Sequence, residues 1–378
     1  MATSIVEIVG AGPAGLSAAI SARSAGAQVV VYERRNDVGA RFQGDFQGLE
    51  NWTSNQDVLE ELSNLGIALS FDCTPVREVV YFCPDTRAHE VRSATPLFYL
   101  VRRGNEAGAL DHALKSQALD AGVTIHFNCR RQHLPNGGVV AEGPHRADII
   151  AVGYVFETDM ADGCYLATSD QLAAAGYSYL LIDQGRGTVA ACLFDNFHAE
   201  REYLERTVAF FKQATGLRWH RARRFGGNGN VDRVHRPAEG DRHYVGEVAG
   251  FQDALFGFGL RYALTSGHLA GAALTQTRDT DLSYGHLRGL NAASILNRWV
   301  FDRLGERGRA FLIKRVVDSG SPQRALQRIY TPARWKTALA GRLPRSPLLP
   351  VTQEKPECDC TWCRSYRKPG ATTHGLAQ

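Results

Sequence analysis

The residues best suited to chemistry sit in two short clusters of a 378-residue chain. The first, Gly10-Ala11-Gly12-Pro13-Ala14-Gly15, follows the apolar run Ser4–Val9 and opens the small-residue helix pattern Pro13–Ala25. Between a strand and a helix, the first glycine makes a tight turn, the second admits a pyrophosphate to the backbone, and the third packs helix on strand. Glu33 closes a second strand pattern, Ala27–Tyr32, where a carboxylate accepts hydrogen bonds from ribose hydroxyls and repels a 2′-phosphate. Together they predict a dinucleotide-binding βαβ unit. The second cluster is Cys358, Cys360 and Cys363. Thiolates at that spacing can converge on one Zn²⁺, with His374 or Asp359 as candidates for a fourth ligand. Three cysteines fall short of a zinc-ribbon pattern, and an iron–sulfur cluster normally takes a fourth thiolate, so a redox thiol pair and an unliganded tail stand as alternatives.

The elements that must position these residues are read from periodicity. Leu97–Arg102 reads as a strand, Leu110–Ala121 as a helix closed by Gly122, and Val123–Phe127 as the next strand, which continues the alternation of a doubly wound sheet. The stretch Asn36–Asn55 is too irregular for a regular element. From Tyr177 the texture changes: Tyr177–Ile182 and Thr188–Phe194 flank Asp183-Gln184-Gly185-Arg186-Gly187, a hairpin signal, and Glu200–Thr215 is an amphipathic helix. Tyr244–Gly250 reads as a strand and Phe256–Thr275 as a glycine-rich turn and long helix. Residues 285–340 are mostly helical, and the prolines at 344, 347, 350 and 356 predict an extended tail.

Composition narrows the class. With 44% hydrophobic and 22% charged residues, the chain is expected to form a globular protein of enzyme size. No apolar run reaches the roughly 18 residues of a membrane-spanning helix, and no removable targeting segment is expected, which makes the cytoplasm the default location. Five of the eight cysteines are scattered, as in a protein with reduced thiols. Residues 301–378 carry 15 Lys/Arg against 6 Asp/Glu. That basic segment suits a peripheral contact with an anionic membrane surface or an acidic electron donor, while a small-molecule substrate and no nucleic acid are expected. The histidines form no H-x-x-x-H pair, and Gly-x-Ser-x-Gly is absent, which argues against a core metal catalyst and a hydrolase elbow.

The glycine run with Val38-Gly39-Ala40-Arg41 resembles the FAD-binding start of glutathione-reductase-type flavoproteins. There is no second G-x-G-x-x-G and no redox cysteine pair near the N-terminus, unlike disulfide reductases with separate FAD and NAD domains. Val245-Gly246-Glu247-Val248-Ala249-Gly250-Phe251-Gln252-Asp253, followed by Gly257-Phe258-Gly259-Leu260-Arg261-Tyr262-Ala263-Leu264, resembles the late flavin motif of aromatic hydroxylases and geranylgeranyl reductases. Tyr99-Leu100-Val101-Arg102-Arg103 with Leu110-Asp111 looks like the strand-arginine and helix segment of the latter group, whose arginine contacts FAD. The resemblance implies an FAD site drawn from Gly10, Gly12, Pro13, Ala14, Gly15, Glu33, Arg34, Arg41, Arg103, Gly246, Glu247, Gly257, Gly259 and Leu260, Arg102 being the alternative to Arg103. Tyr177, Tyr179, Phe256 and Tyr262 are candidates for the substrate pocket, and no catalytic residue is assigned.

The implied fold is α/β: a Rossmann-like, three-layer FAD-binding domain (1–155 with 240–275), an inserted antiparallel β-sheet substrate domain (156–239), a helical C-terminal region (276–345) and an extended cysteine-containing tail (346–378). The implied activity is that of an FAD-dependent oxidoreductase transferring hydride between flavin and a C=C bond of a small organic or isoprenoid-like substrate, with NAD(P)H or another electron donor. An NAD(P)H-dependent monooxygenase of the aromatic-hydroxylase type is the alternative, although Ala147-Asp148-Ile149-Ile150 lacks the Asp-Gly that those enzymes usually carry. A non-enzymatic flavin-bearing binding or sensor protein is the third reading.

Overall fold

The computed structural model describes residues 5–343 and 358–366, apart from residues 86, 132, 235, 236 and 276–279. The proline-rich stretch 344–357 and His374 therefore lie outside the described residues. Numbered in chain order, β1 (Ile5–Val9), β2 (Gln28–Tyr32), β8 (Thr124–His126), β9 (Gly138–Val140), β15 (Ala238–Glu239) and β16 (Arg242–Tyr244) form a sheet in the order β15-β16-β9-β1-β2-β8. It is parallel apart from the β15–β16 hairpin. A small antiparallel sheet sets β7 (Phe98–Arg102) between β3 (Phe46–Glu50) and β4 (Cys73–Val76). The third sheet runs β14 (His220–Gly229), β10 (Ile149–Glu157), β13 (Arg186–Leu193), β12 (Tyr177–Asp183), β11 (Gly163–Ala167), β5 (Glu78–Phe82) and β6 (Ala88–Arg92). All its pairs are antiparallel except β11–β5. The helices among the described residues are α1 (Pro13–Ser24), α2 (Val58–Asn64), α3 (Leu110–Asp120), α4 (Glu200–Thr215), α5 (Leu260–Thr275), α6 (Thr280–Arg303), α7 (Gly305–Val317), α8 (Pro322–Tyr330), α9 (Arg334–Arg342) and α10 (Thr361–Tyr366).

One core joins the parallel sheet, the three-stranded sheet and helices α1, α3 and α5: Ile8, Leu16, Val29, Leu49, Val101, Leu114 and Leu264 are all buried in it. Within it α1 and α5 cross at backbone distance. A side chain on Gly267 would strike the Ala14 carbonyl, and one on Gly271 would strike the Ala18 carbonyl and come within 2.9 Å of Ser21 Cβ. Ser17 Oγ donates to Leu264 O (2.7 Å) and Ser21 Oγ to His268 O (3.0 Å), so the polar atoms in the crossing are satisfied across it. The seven-stranded sheet buries alternate residues on opposite faces, as strand periodicity requires. Leu180 and Ile182 pack with Phe211 of α4, and Ser178 bonds Thr207 of α4 (2.8 Å). Tyr179 and Leu181 face the other way, toward Phe46, Phe98 and the C-terminal helices through Phe301 and Tyr330.

Several sequence expectations shift. Leu97–Arg102 is a strand but belongs to the small antiparallel sheet, because its hydrogen bonds go to β3 and β4. The irregular Asn36–Asn55 stretch contains β3, which exists through that pairing. The segment expected as strand Tyr244–Gly250 is a strand only to Tyr244; Gly246–Ala249 is a 3₁₀ turn, with Gly246 at φ +64°. The boundary drawn at residue 156 falls inside β10, and the antiparallel sheet also recruits β5 and β6 from residues 78–92, far upstream of the expected insertion. The tail is not extended throughout, since Thr361–Tyr366 forms α10 and buries Trp362 and Cys363.

The α1–α5 crossing yields a test by contrast. Gly271→Ala should destabilise the fold by about 1–3 kcal/mol through overpacking. Gly285→Ala, at an α6 position where an added methyl meets nothing within 4 Å, should stabilise it by about 0.5–1 kcal/mol through helix propensity. Urea unfolding of both variants measures the pair, and effects of the same sign would contradict the packing described.

Candidate flavin-binding site

The glycine run separates its three steric roles. Gly10 stands at φ +97°, a left-handed conformation that strains other residues, and a side chain there would collide with the Ala141 carbonyl of the strand next door. Gly15 lies so close to the Gly10 carbonyl that only hydrogen fits, which seats α1 on β1. Gly12 faces open space, with nothing within 4 Å of where a Cβ would be. Gly12 is the N-cap of α1 and makes no side-chain cap, and Pro13 occupies the first turn, so the amide groups of that turn are left for an anion. Glu33 accepts from the Ala11 amide (Oε2, 2.8 Å) and from the Arg35 amide (Oε1, 2.9 Å), which ties the loop to the end of β2. Arg34 beside it is exposed.

The late motif closes on the same helix end from a distant part of the chain. A Cβ on Gly246 would lie 3.1 Å from the Ala14 Cβ, and the Gly246 amide donates to Ser266 Oγ of α5 (3.0 Å). The loop is fixed from outside by the C-terminal helices: Asn291 of α6 donates to Gly250 O (2.9 Å) and Asp232 O (3.1 Å), and the Tyr330 hydroxyl of α8 bonds Asp253 (3.1 Å). Asp253 also accepts from the Leu255 and Phe256 amides, shaping the turn that leads through Gly257 and Gly259 to Leu260 at the start of α5. Gln252 Nε2 donates to Gly257 O (3.2 Å), and a side chain on Gly259 would strike Gln252 Oε1, itself buried with no hydrogen-bond partner among the described residues.

Arg103 and Arg41 join the two motifs electrostatically. Arg103 forks onto Asp111 with two 2.8 Å bonds and donates to Gln47 Oε1 (2.8 Å), while its guanidinium stacks 3.9 Å from the centre of the Phe42 ring. Arg102 points elsewhere, to Asp72 and Glu106, so of the two it is Arg103 that acts on Glu247 of the late motif. Arg41 lies 3.7 Å from Glu247 and donates to Asn228 O at the end of β14 (3.5 Å). Burial pushes the Glu247 carboxyl up, and Arg41 and Arg103 pull it back. Asp111 belongs to the Leu110-Asp111 segment already read beside this arginine; Gln47, Phe42 and Asn228 were not singled out in the sequence, because nothing local to them marks a ligand, and only the contacts of Arg103 and the reach of Arg41 bring them in.

The expected pocket aromatics divide. Tyr177, Tyr179 and Phe256 adjoin, with the Tyr177 hydroxyl donating to Phe256 O (2.6 Å) and ring centroids 5.9 Å (Tyr177–Phe256) and 6.3 Å (Tyr177–Tyr179) apart. Burial pushes both tyrosine hydroxyls well above their ordinary range, so both stay protonated. Tyr262 is not part of this wall. It sits one residue past Arg261 on α5 and turns into a separate core with Phe251, Tyr284, Leu287 and Leu290. The three tail cysteines converge away from this wall, against β14 and the turn at Phe197–Ala199, and the residue that meets them is His198. Asp359 is exposed, with Arg364 3.9 Å away, and is not among the convergent atoms.

Comparison with known proteins bears on the fold. The profile of the NAD(P)-binding Rossmann-like domain family matches residues 8–46, and a search of curated proteins found no match. Among solved structures, a geranylgeranyl bacteriochlorophyll reductase-like protein from Thermoplasma acidophilum superposes with TM-score 0.58 at 18% identity, covering 89% of this chain and 96% of that one. A flavin-dependent brominase gives TM-score 0.61 at 15% identity, covering 89% and 98%. The p-nitrophenol 4-monooxygenase of Pseudomonas putida gives 0.58 at 12% identity, covering 90% and 100%. The chain has the fold of the FAD-binding flavoproteins.

Two measurements probe the site. Gly12→Val should abolish FAD binding by filling the open approach, and Glu33→Ala should weaken it by about 1.5–3 kcal/mol through loss of charge-assisted bonds that order the loop; titration of apoprotein with FAD gives both, and unchanged affinity in either variant would place the dinucleotide elsewhere. The second concerns pH. Burial pushes the Asp253 carboxyl from 3.8 up to about 6. A carboxyl raised in the native state contributes stability that is complete below the unfolded value and is lost as pH rises through the native one. Between pH 4 and 7 the wild type should therefore lose about 2 kcal/mol relative to Asp253→Asn; parallel stability curves for the two proteins would contradict it.

Proposed function

We propose that the protein is an FAD-dependent oxidoreductase acting on a C=C bond of a small, largely apolar substrate of organic or isoprenoid-like character. The observation that carries the reading is the meeting of Gly246 with Ala14. It places the late loop over the uncapped end of α1, with a protonated aromatic wall on the neighbouring sheet. Bound FAD would supply two-electron chemistry, giving or taking a hydride. The chain's own contribution is positional. Gly10 to Gly15 and the first turn of α1 would hold the pyrophosphate, Glu33 would order the loop and face the ribose, and Arg41, Arg103 and Glu247 would line the ribityl side. The start of α5 at Leu260 would present its positive end to the reduced ring.

Tyr177 is committed to Phe256 O, which leaves Tyr179 as the hydroxyl able to hold the proton that accompanies hydride transfer. An apolar substrate suits a wall of Tyr177, Tyr179 and Phe256, which also excludes water. The C-terminal helices expose Phe311, Leu312, Trp335 and Leu339 among basic residues, which supports a peripheral contact with a membrane surface or electron donor. Among the described residues no helix is long and apolar enough to cross a membrane.

A second reading, oxygenation, is favoured by the likeness to the monooxygenase fold. Asp148 argues against that route here, since it is buried and bound to Arg146 (2.7 Å) and the Val231 amide (2.8 Å) rather than followed by glycine. Turnover separates the readings. With an electron donor under anaerobic conditions, unsaturated apolar substrates should gain two hydrogens, and Tyr179→Phe should lower kcat roughly a hundredfold or more with FAD content unchanged. A hydroxylated product formed only with oxygen, one O₂ consumed per product, would replace the first reading with the second; absence of turnover with either panel would leave a flavin-bearing binding protein.

A further inference from the structure

We propose that His198, Cys358, Cys360 and Cys363 form a closed Cys₃His zinc site that fastens the 358–366 segment to the edge of the seven-stranded sheet. Their ligand atoms all lie within 4.8 Å of one another. His198 Nδ1 stands 3.5 Å from Cys358 Sγ, 3.7 Å from Cys360 Sγ and 3.7 Å from Cys363 Sγ. A tetrahedron built on Zn–S bonds of about 2.3 Å and Zn–N bonds of about 2.0–2.1 Å has N···S edges of about 3.6 Å. The histidine nitrogen thus sits where the fourth ligand of such a tetrahedron belongs, at nearly equal distances from three sulfurs it could hydrogen-bond only one at a time as a neutral ring.

The surroundings are those of a built site. Asn196, in the left-handed region at φ +49°, turns the chain into Phe197–Ala199 and aims His198 at the sulfurs. The Cys363 amide points at Cys360 Sγ (3.4 Å), an arrangement that stabilises a thiolate. Phe197 and Trp362 stack with centroids 6.0 Å apart, and the His198 ring meets Trp362 edge-on at 5.6 Å. The segment is seated on the sheet independently of the sulfurs: the Trp362 indole donates to Ala147 O (2.9 Å), the Thr361 amide donates to the buried Glu200 carboxylate (2.8 Å), and Gly226 of β14 has no room for a side chain because Thr361 Oγ1 would be 2.6 Å from its Cβ. Three thiolates and one imidazole select a soft divalent ion over magnesium or calcium, and four protein ligands leave no open position for catalysis. The role is structural: α10 has six residues, too few to persist alone, and the metal holds it in place.

The test uses the full chain purified without metal-affinity resin. Elemental analysis should give about one zinc per chain in the wild type and less than about a tenth of that in His198→Ala and Cys360→Ser. His374→Ala and Asp359→Asn should retain the zinc. Cobalt exchanged for zinc should show the intense visible bands of a tetrahedral thiolate site, and His198→Cys should keep one metal while shifting those bands toward the four-thiolate form. That variant answers the question even where Cys360→Ser fails to fold, as judged by circular dichroism. A wild type that carries no zinc, takes up no cobalt and titrates all three thiols freely overturns the proposal, and so does zinc that survives His198→Ala but is lost in His374→Ala.

Discussion

Everything else in the structure depends on the close approach of α1 and α5. Two helices carrying ordinary side chains pack with axes about 8–10 Å apart; here Ala14, Ala18, Gly267 and Gly271 let backbone touch backbone. Ser17 and Leu264, 247 residues apart in sequence, share a hydrogen bond as a result. The consequence is chemical as well as mechanical, since the two helices whose first turns we propose face the pyrophosphate and the flavin ring are held in fixed relation. A methyl group inserted at that crossing would separate two halves of one binding site that share no local sequence.

The helical C-terminal region extends the same constraint. The loop from Gly246 to Gly259 contains little regular structure, and a loop left to itself would sample many conformations. Asn291 donates to Gly250 O within it and to Asp232 O beside it, Ser294 accepts from the Ala254 amide (3.2 Å), and Tyr330 caps Asp253. Arg298, buried against Phe194 at 3.9 Å and donating to Ala175 O (2.8 Å), fastens α6 to the seven-stranded sheet. The helices thus brace the late loop against the sheet that carries Tyr177 and Tyr179. They are a frame for the site, and the bonds that Asp253 accepts from Leu255, Phe256 and Tyr330 hold the turn in shape against the cost of burying the carboxylate.

The parts of this arrangement that were legible in sequence are those in which steric need is local. Gly10, Gly12 and Gly15 declare themselves because each must lack a side chain for a different reason within six residues. The hairpin at Gln184-Gly185 and the helix Glu200–Thr215 carry their own turn chemistry and periodicity. What escaped was non-local. Phe-Gln-Gly-Leu-Glu at 46–50 has weak strand propensity and becomes β3 because β7 pairs with it and Thr188 Oγ1 accepts from the Phe46 amide (2.9 Å). Tyr262 looked like a pocket residue beside the glycine turn, but helical geometry at α5 rotates it into another core. His198 is a lone histidine, 160 residues from the first tail cysteine, and no spacing rule connects them. A hint lay in Asn196, whose tolerance of left-handed backbone marks a sharp turn, although a turn alone does not name a ligand.

The seating of α10 on β14 also sets an order of events during synthesis. Cys363 is made 165 residues after His198, roughly ten to thirty seconds later at ribosomal speed. β14 is the outermost strand of its sheet, with charge from Arg221, Arg223 and Arg224 in one half and bare backbone at Gly226 and Gly227 in the other. The contacts of Thr361 and Trp362 with Glu200, Gly226 and Ala147 can therefore form only after most of the chain has been translated. A chain halted before that point would leave open to solvent the apolar cluster of Ala147, Ile150, Val152 and Phe197 on which Trp362 and Cys363 pack.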